Sequence, residues 1–525
     1  FTRGGTFDEV TSRLDELADL GITAVEIMPV TQFPGTRNWG YDGVYPFAVQ
    51  NSYGGPEGLK RLVDACHRRG MALVLDVVYN HLGPEGNHLK EFGPYFTGAY
   101  TTFWGEALNF DQPYSGEVRN YFVQNMLHWF DHYHVDTLRL DAVHAIHDSS
   151  ARHLLRELAE ETDRYSRAVG GAHLLIAESD LNDPRIVRSR DRHGYGVHAQ
   201  WSDDFHHALH ALLTGERDGY YADFGTAGHL RDVLSKGYCY TWKYSGYRKR
   251  FFGDLPDDIR REQLVVCTQN HDQVGNRADG GRLSSLVPFE ALKLAAGALL
   301  LSPFIPLLFM GQEYAEEAPF LYFVSHADPD LVEAVREGRR KEFGAFTRGG
   351  DFPDPQAPET FRRSVLRWED RETGRHRVML ELYRELLRLR KGRRAIREAR
   401  EAEIGSPEAV SCSGDGPLVT LRMSAGEQVL VLMNFGAEPV RYRLPPPCRR
   451  HGPQRNGFPS RAPESHCQRP PQGADQRSGF WEVLLASSDR RWNGPGPDAP
   501  AQYPPGGSLQ VQPASFVFLS LQNAS

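Results

Sequence analysis

Short apolar or β-branched runs alternate with longer amphipathic segments over the first two thirds of the chain. The runs are 22–30 (ITAVEIMPV), 71–78 (MALVLDVV), 135–141 (VDTLRLD), 173–177 (HLLIA), 197–201 (VHAQW), 263–268 (QLVVCT) and 305–310 (IPLLFM). Helical periodicity fills the spaces between them, at 7–20, 56–69, 118–133 and 149–168. Near-continuous apolar strands separated by helices predict a parallel sheet covered on both faces. Beyond about residue 400 the pattern changes to short strands at 427–434, 440–444, 481–486 and 515–521, which predict a small β-sandwich. One uncharged run, LAAGALLLSPFIPLLFMG at 294–311, approaches membrane-spanning length. Pro303 and Pro306 interrupt it, so it reads as a buried helix ending near Leu301, a turn and a buried strand at 306–310.

The strand ends separate a barrel from a doubly wound sheet. Polar residues cluster where four strands finish: DVVYNH at 76–81, RLDAVH at 139–144, AESD at 177–180 and QNHDQ at 269–273. Functional groups gathered at the C-terminal ends of several strands are the habit of a (β/α)8 TIM barrel. A dinucleotide fold would instead carry GxGxxG after its first strand, and the sequence has none there. The predicted fold is therefore α/β, a TIM barrel over 1–400 with a C-terminal β-sandwich over 401–525. Only seven barrel strands are found, and FTRGG alone precedes the first helix. An open barrel exposes strand edges, so a further strand, and with it another domain, is expected ahead of residue 1. Counting that strand as the first, a Gly-, Pro- and aromatic-rich excursion at 81–112 follows the third. Residues 445–479, rich in Pro, Arg, Gln and Ser, predict an irregular segment within the sandwich.

Composition narrows the chemistry. With 525 residues, 40% hydrophobic and 24% charged, the chain has material for two or three sizeable cores. A net charge of −8 supplies no basic field for nucleic acid or an anionic membrane surface. The six cysteines, Cys66, Cys239, Cys267, Cys412, Cys448 and Cys467, are scattered without a CxxC pair and fit a reducing cytoplasm. The N-terminus has no charged and apolar regions of a secretory signal. The HHALH segment places His206 and His210 on one helical face at a zinc-compatible spacing. No HExxH accompanies it, so these histidines read as packing residues, and neither a metal nor a cofactor is expected, although a carboxylate-rich loop near Asp111 suits a hard cation.

Three acids stand at strand ends. Asp141 ends a strand with Arg139 two residues earlier, on the same face, where a guanidinium keeps a carboxylate ionised as a nucleophile requires. Glu178 closes the apolar run LLIAE, where desolvation favours the protonated form of an acid. Asp272 follows another strand beside His271. A transition state with oxocarbenium character needs a carboxylate against the developing cation and a second carboxylic acid to protonate the leaving oxygen. Aromatics suited to sugar C–H faces gather nearby: Trp39, Tyr41, Tyr45, Trp104 and Trp201, with Tyr238, Tyr240, Trp242, Tyr244 and Tyr247 in one segment.

These residues resemble the α-amylase superfamily of retaining glycoside hydrolases and transglycosylases, whose four motif regions stand here in order at 76–81, 137–144, 174–180 and 269–273. The resemblance implies Asp141 as nucleophile, Glu178 as general acid/base and Asp272 as transition-state stabiliser. His81, Arg139 and His271 would contact sugar in the cleavage subsite. Within the superfamily the segments at 38–55, 80–97, 201–216, 269–283 and 309–326 are similar to the malto-oligosyltrehalose trehalohydrolases. That likeness implies further substrate contacts at Tyr41, Asp42, His144, Trp201, Asp203, Asp204, Gln273 and Asn276. It also implies maltooligosyl trehalose or a related α-1,4-glucan as substrate, with no cofactor. The competing readings are a branching or debranching enzyme of the same superfamily, and a non-catalytic glucan-binding barrel.

Overall fold

The computed structural model describes residues 1–102, 104–344, 353–397, 410–411, 417–424, 426–446, 479–496 and 498–522. Seven strands form one sheet in chain order: β1 (Ala24–Ile27), β2 (Ala72–Val77), β3 (Thr137–Leu140), β4 (Leu174–Ala177), β5 (Ala199–Trp201), β6 (Leu264–Cys267) and β7 (Ile305–Leu307). Every neighbouring pair is parallel. Helices return the chain between strands, as parallel pairing demands, and the sheet curls as the wall of a TIM barrel. β3 is buried along its whole length, and β2 along all but its first residue, because helices pack outside and side chains fill the inside.

Local sequence accounts for the helices. In Gly55–Arg68, Pro56 sits in the first turn, and Leu59, Leu62, Val63 and Cys66 form the buried stripe that a 3.6-residue period produces. The segment 7–20, predicted as one helix, is two: Phe7–Thr11 and Leu14–Leu20, separated at Ser12 and Arg13. The Ser12 hydroxyl donates to the Glu9 carbonyl at 2.6 Å, a local bond that competes with helix continuation. The apolar run at 294–311 divides as its prolines require, into the helix Phe289–Leu300 and β7, and no helix among the described residues is long and apolar enough to cross a membrane. The long connection after β2 carries an antiparallel hairpin, Phe96–Thr102 with Gly105–Leu108.

The C-terminal region is a six-stranded sheet faced by a two-stranded one, Val440–Arg443 with Ser508–Val511. Alternation along Glu427–Asn434 divides its side chains. Leu430 and Leu432 pack with Trp481, Val511 and Leu519 between the two sheets, whereas Val429, Val431 and Met433 join the barrel core with Phe516 and Phe518. The joint is the helix Phe289–Leu300. A Cβ placed on its Gly297 would lie 2.5 Å from the Phe516 ring, so only glycine lets that ring settle on the helix. Beside it the buried Lys293 ammonium donates to the carbonyls of Ser487 (2.8 Å) and Trp492 (2.7 Å) and pairs with Glu290 (2.8 Å). Residues 447–478, most of the expected irregular segment, lie outside the described residues, as do Cys412, Cys448 and Cys467.

Candidate active site

Sheet register gathers the acids. Asp76 pairs with Arg139 across β2 and β3, and Leu140 pairs with Ala177 across β3 and β4. One step further, the Asp141 amide donates to the Val77 carbonyl (3.0 Å) and the Glu178 amide to the Leu140 carbonyl (2.9 Å), so Asp141 and Glu178 stand side by side just past their strands. Alternation puts Arg139 and Asp141 on the inner face together. The guanidinium of Arg139, 0% exposed, then binds three carboxylates. Its Nη1 donates to Asp76 Oδ1 (2.9 Å) and Oδ2 (2.7 Å) and to Asp141 Oδ1 (2.9 Å), and its Nη2 lies 2.8 Å from Glu178 Oε2. The Trp201 ring, in register beside β4 on β5, lies under this guanidinium at 4.3 Å.

Each acid has its own second support. The Asn80 amide donates to Asp141 Oδ2 at 2.7 Å and to its carbonyl at 2.8 Å. The Ala142 amide donates to Glu178 Oε2 at 2.8 Å from a left-handed backbone, φ +39°. Burial pushes the Glu178 carboxyl well above the usual range against the pull of Arg139, and the charges of Asp141 and Asp272 push the same way. Burial also lifts Asp76 to about 7 and Glu26 of β1 to about 8, in both cases against Arg139.

Asp272 occupies the first turn of the short helix His271–Gly275, whose Asn270 cap accepts from the amides of Asp272 (2.9 Å) and Gln273 (3.2 Å). Tyr41 joins this helix to the arginine cluster: its hydroxyl donates to Asp76 Oδ2 and meets His271 Nε2, both at 2.7 Å, and its ring stacks on His271. His271 Nε2 lies 3.6 Å from Asp272 Oδ1. His81 contacts the Asn80 side chain (2.6 Å) and the Tyr41 carbonyl (3.0 Å), and its ring stacks at 4.0 Å on Trp104, which is half exposed. Burial lowers both histidines, favouring neutral rings that carry one donor and one acceptor. The structure therefore brings Asp141, Glu178, Arg139, Tyr41, His81, His271, Asp272 and Trp201 together.

The remaining candidates surround this centre or support it. The Asp203 carboxyl is lifted to about 7 by burial and by the charges of Asp272 and Asp180. Asp204 points into the fold instead: its Oδ2 accepts from Asn182 Nδ2 (2.8 Å) and from the amides of Cys239 (2.6 Å) and Tyr240 (3.1 Å), which makes it a loop anchor. Asp42 accepts from Asn38 Nδ2 at 2.7 Å and lies 3.9 Å from His326. His144 sits 3.9 Å from Asp180, Gln273 is buried, and Asn276 accepts from Arg339 at 3.0 Å. His206 and His207 face each other at 3.0 Å among tyrosine rings, and His210 pairs with Glu216 at 2.8 Å. Asp111 accepts from Tyr100 (2.6 Å), the Ser149 amide (2.8 Å) and Gln112 (2.8 Å). No group of His, Cys, Asp and Glu suited to a metal is found among the described residues. Sequence reasoning passed over Asp76 and Asn80. Their signal was available, since Asp76 is the one charged residue in the apolar strand ALVLDV.

The alpha-amylase catalytic-domain family matches residues 2–104. Malto-oligosyltrehalose trehalohydrolase of Saccharolobus solfataricus is 49% identical over 74% of this chain and 67% of its own length. The Arthrobacter ramosus enzyme of the same name is 49% identical over 81% of this chain and 75% of its own. The chain belongs to the malto-oligosyltrehalose trehalohydrolase family. Among solved structures, a Salmonella typhimurium protein described as a candidate alpha amylase superimposes with a TM-score of 0.81 at 36% identity, covering 99% of this chain and 80% of that one. A 1,4-alpha-glucan branching enzyme of Bacillus caldolyticus is 27% identical over 59% of this chain and 46% of its own length.

Proposed function

We propose that the protein hydrolyses the α-1,4-glucosidic bond next to the terminal trehalose unit of maltooligosyl trehalose and releases trehalose. The observation that carries this is the pair of neighbouring strand ends bearing Asp141 and Glu178 on one guanidinium, in a chain 49% identical to trehalohydrolases. Asp141, which accepts hydrogen bonds from both Arg139 and Asn80, attacks the anomeric carbon. Glu178, whose burial favours the protonated form, gives its proton to the leaving oxygen. The glycosyl–Asp141 ester is then hydrolysed by water, whose proton returns to Glu178, so the anomeric configuration is retained. Asp272 faces the oxocarbenium character, and Tyr41, His81 and His271 hold the sugar in the cleavage subsite. The sparse, buried cysteines Cys66, Cys239 and Cys267 agree with the cytoplasm as its place of action.

Incubation with maltotriosyl trehalose and, separately, with glycogen tests the reading. Free trehalose from the first and no change in branching of the second are expected. Altered α-1,6 content in glycogen without trehalose release would favour a branching or debranching enzyme, and binding without any bond cleavage a glucan-binding barrel.

A further inference from the structure

Asp272 stands on a helix too short to hold its own direction: His271–Gly275 has 5 residues, far fewer than a helix needs to be stable alone. Its orientation is therefore set by what grips its two ends. Asn270 fixes the first turn by capping it. At the other end the chain turns at once, with the Asn276 amide donating to the Asp272 carbonyl (2.8 Å) and the Arg277 amide to the Val274 carbonyl (3.1 Å). Arg277 thus belongs to the same hydrogen-bonded turn as Asp272, and a restraint on its side chain is a restraint on the helix.

Two carboxylates approach that guanidinium. Asp279 is exposed and lies 3.8 Å from Nε. Glu216 takes the fork with both oxygens: Nη1 donates to Oε2 and Nη2 to Oε1, each at 2.9 Å. Paired in this way, the two planar groups fix angle as well as distance. Glu216 is itself held. His210 Nε2 lies 2.8 Å from the same Oε2, the Glu216 amide donates to the Thr214 hydroxyl (3.1 Å), and that hydroxyl donates to the His210 carbonyl (2.8 Å). The His210 ring is buried and stacks on Tyr221 at 4.5 Å. The hydrogen bond with His210, against partial burial, and then the pairing with Arg277 hold the Glu216 carboxyl down at about 2, so it is ionised at neutral pH. The helix Asp203–Thr214 links this brace to the site: it starts at Asp203, whose carboxyl feels the charge of Asp272, and ends two residues short of Glu216. One rod carries Asp203 to the acid cluster and Glu216 to the turn beyond Asp272.

We propose that Glu216 is a positioning residue for Asp272, acting through Arg277: its carboxylate sets the pitch of the 271–275 helix, and so the distance between the Asp272 carboxylate and the anomeric carbon. This deepens the proposed function and rests on it. The role needs no contact between Glu216 and sugar. A group that faces developing charge acts on the transition state, so its displacement slows the chemical step and leaves ground-state binding of the glucan almost unchanged.

Glu216→Ala, Glu216→Gln and Arg277→Met proteins test the assignment by turnover of maltotriosyl trehalose, with thermal unfolding recorded for each. Glu216→Ala and Arg277→Met should each lower kcat about 30-fold with KM within about two-fold of wild type. Glu216→Gln keeps an acceptor for Arg277 without the charge, disturbs the fold least, and should recover part of the rate. Coupling is read in long incubations of Asp272→Asn protein. Adding Glu216→Ala there should change the residual kcat less than about two-fold, because the carboxylate that Glu216 positions is already gone. A kcat within about two-fold of wild type in Glu216→Ala and Glu216→Gln alike, a loss confined to KM, or a loss that multiplies in full with Asp272→Asn overturns the assignment. A wild-type protein that cleaves a different glucan linkage would overturn the proposed reaction alone, and the same ratios are then read on that linkage; one that cleaves none overturns both.

Discussion

Arg139 is the residue on which the proposed chemistry turns, because one buried guanidinium balances Asp76, Asp141 and Glu178. Removing the proposed nucleophile tests this scale first. Asp141→Asn keeps the size of the side chain and should lower kcat by about 10^4-fold or more while substrate affinity stays close to wild type; a variant within ten-fold of wild-type turnover would exclude Asp141 from the covalent step. The acid is tested by pH. Burial raises the Glu178 carboxyl, and the first step needs its proton, so kcat/KM should be sustained through neutral pH and fall as pH rises through that elevated value. In Glu178→Gln the residual activity should lose this alkaline descent. A wild-type profile that falls on the alkaline side with the same midpoint in Glu178→Gln would assign the limb to another group.

At the scale of elements, the strands deliver these side chains through register and the loops adjust them. The short helix His271–Gly275 shows how tight the adjustment is. A Cβ on Gly275 would fall 2.0 Å from Cη2 of Trp39, whose ring stacks on Phe320 and meets His271 edge-on. Gly275→Ala should therefore shift the helix and with it His271 and Asp272, lowering kcat/KM by about 100-fold, the usual consequence of displacing reacting groups by an ångström; kinetics at unchanged thermal stability would show the effect to be local. The sequence made much of this legible. Apolar runs located all seven strands, and polar residues just beyond them located Asp141, Glu178 and Asp272, since strand ends and motif positions are local properties. What stayed hidden depends on contacts between distant segments. That Asp204 faces amides at 239 and 240, not the cleft, follows from the packing of the hairpin at 241–253, and the break at Ser12 follows from a side-chain bond that periodicity does not register.

At the scale of the whole molecule, the C-terminal sheet and the barrel meet along the helix Phe289–Leu300. Lys293 and the buried Arg422, which donates to the Leu301 carbonyl, supply polar contacts at that joint, and removal of Lys293 leaves two buried carbonyls and Glu290 without their donor. Lys293→Met should cost about 3 kcal/mol and show as a lowered Tm in calorimetry, with kcat at 25 °C preserved in the folded fraction. An unchanged Tm would mean that Lys293 adds nothing to what the apolar contacts and Arg422 already supply. Those contacts have their own consequence. Because the Phe516 ring fills a notch that exists only while residue 297 lacks a side chain, the two halves are keyed to each other like a bolt and its slot. A chimera that exchanged the C-terminal sheet for a relative's would have to import the matching helix surface as well, so recombination between homologues is expected to succeed at crossover points that keep 297 and 516 from the same parent.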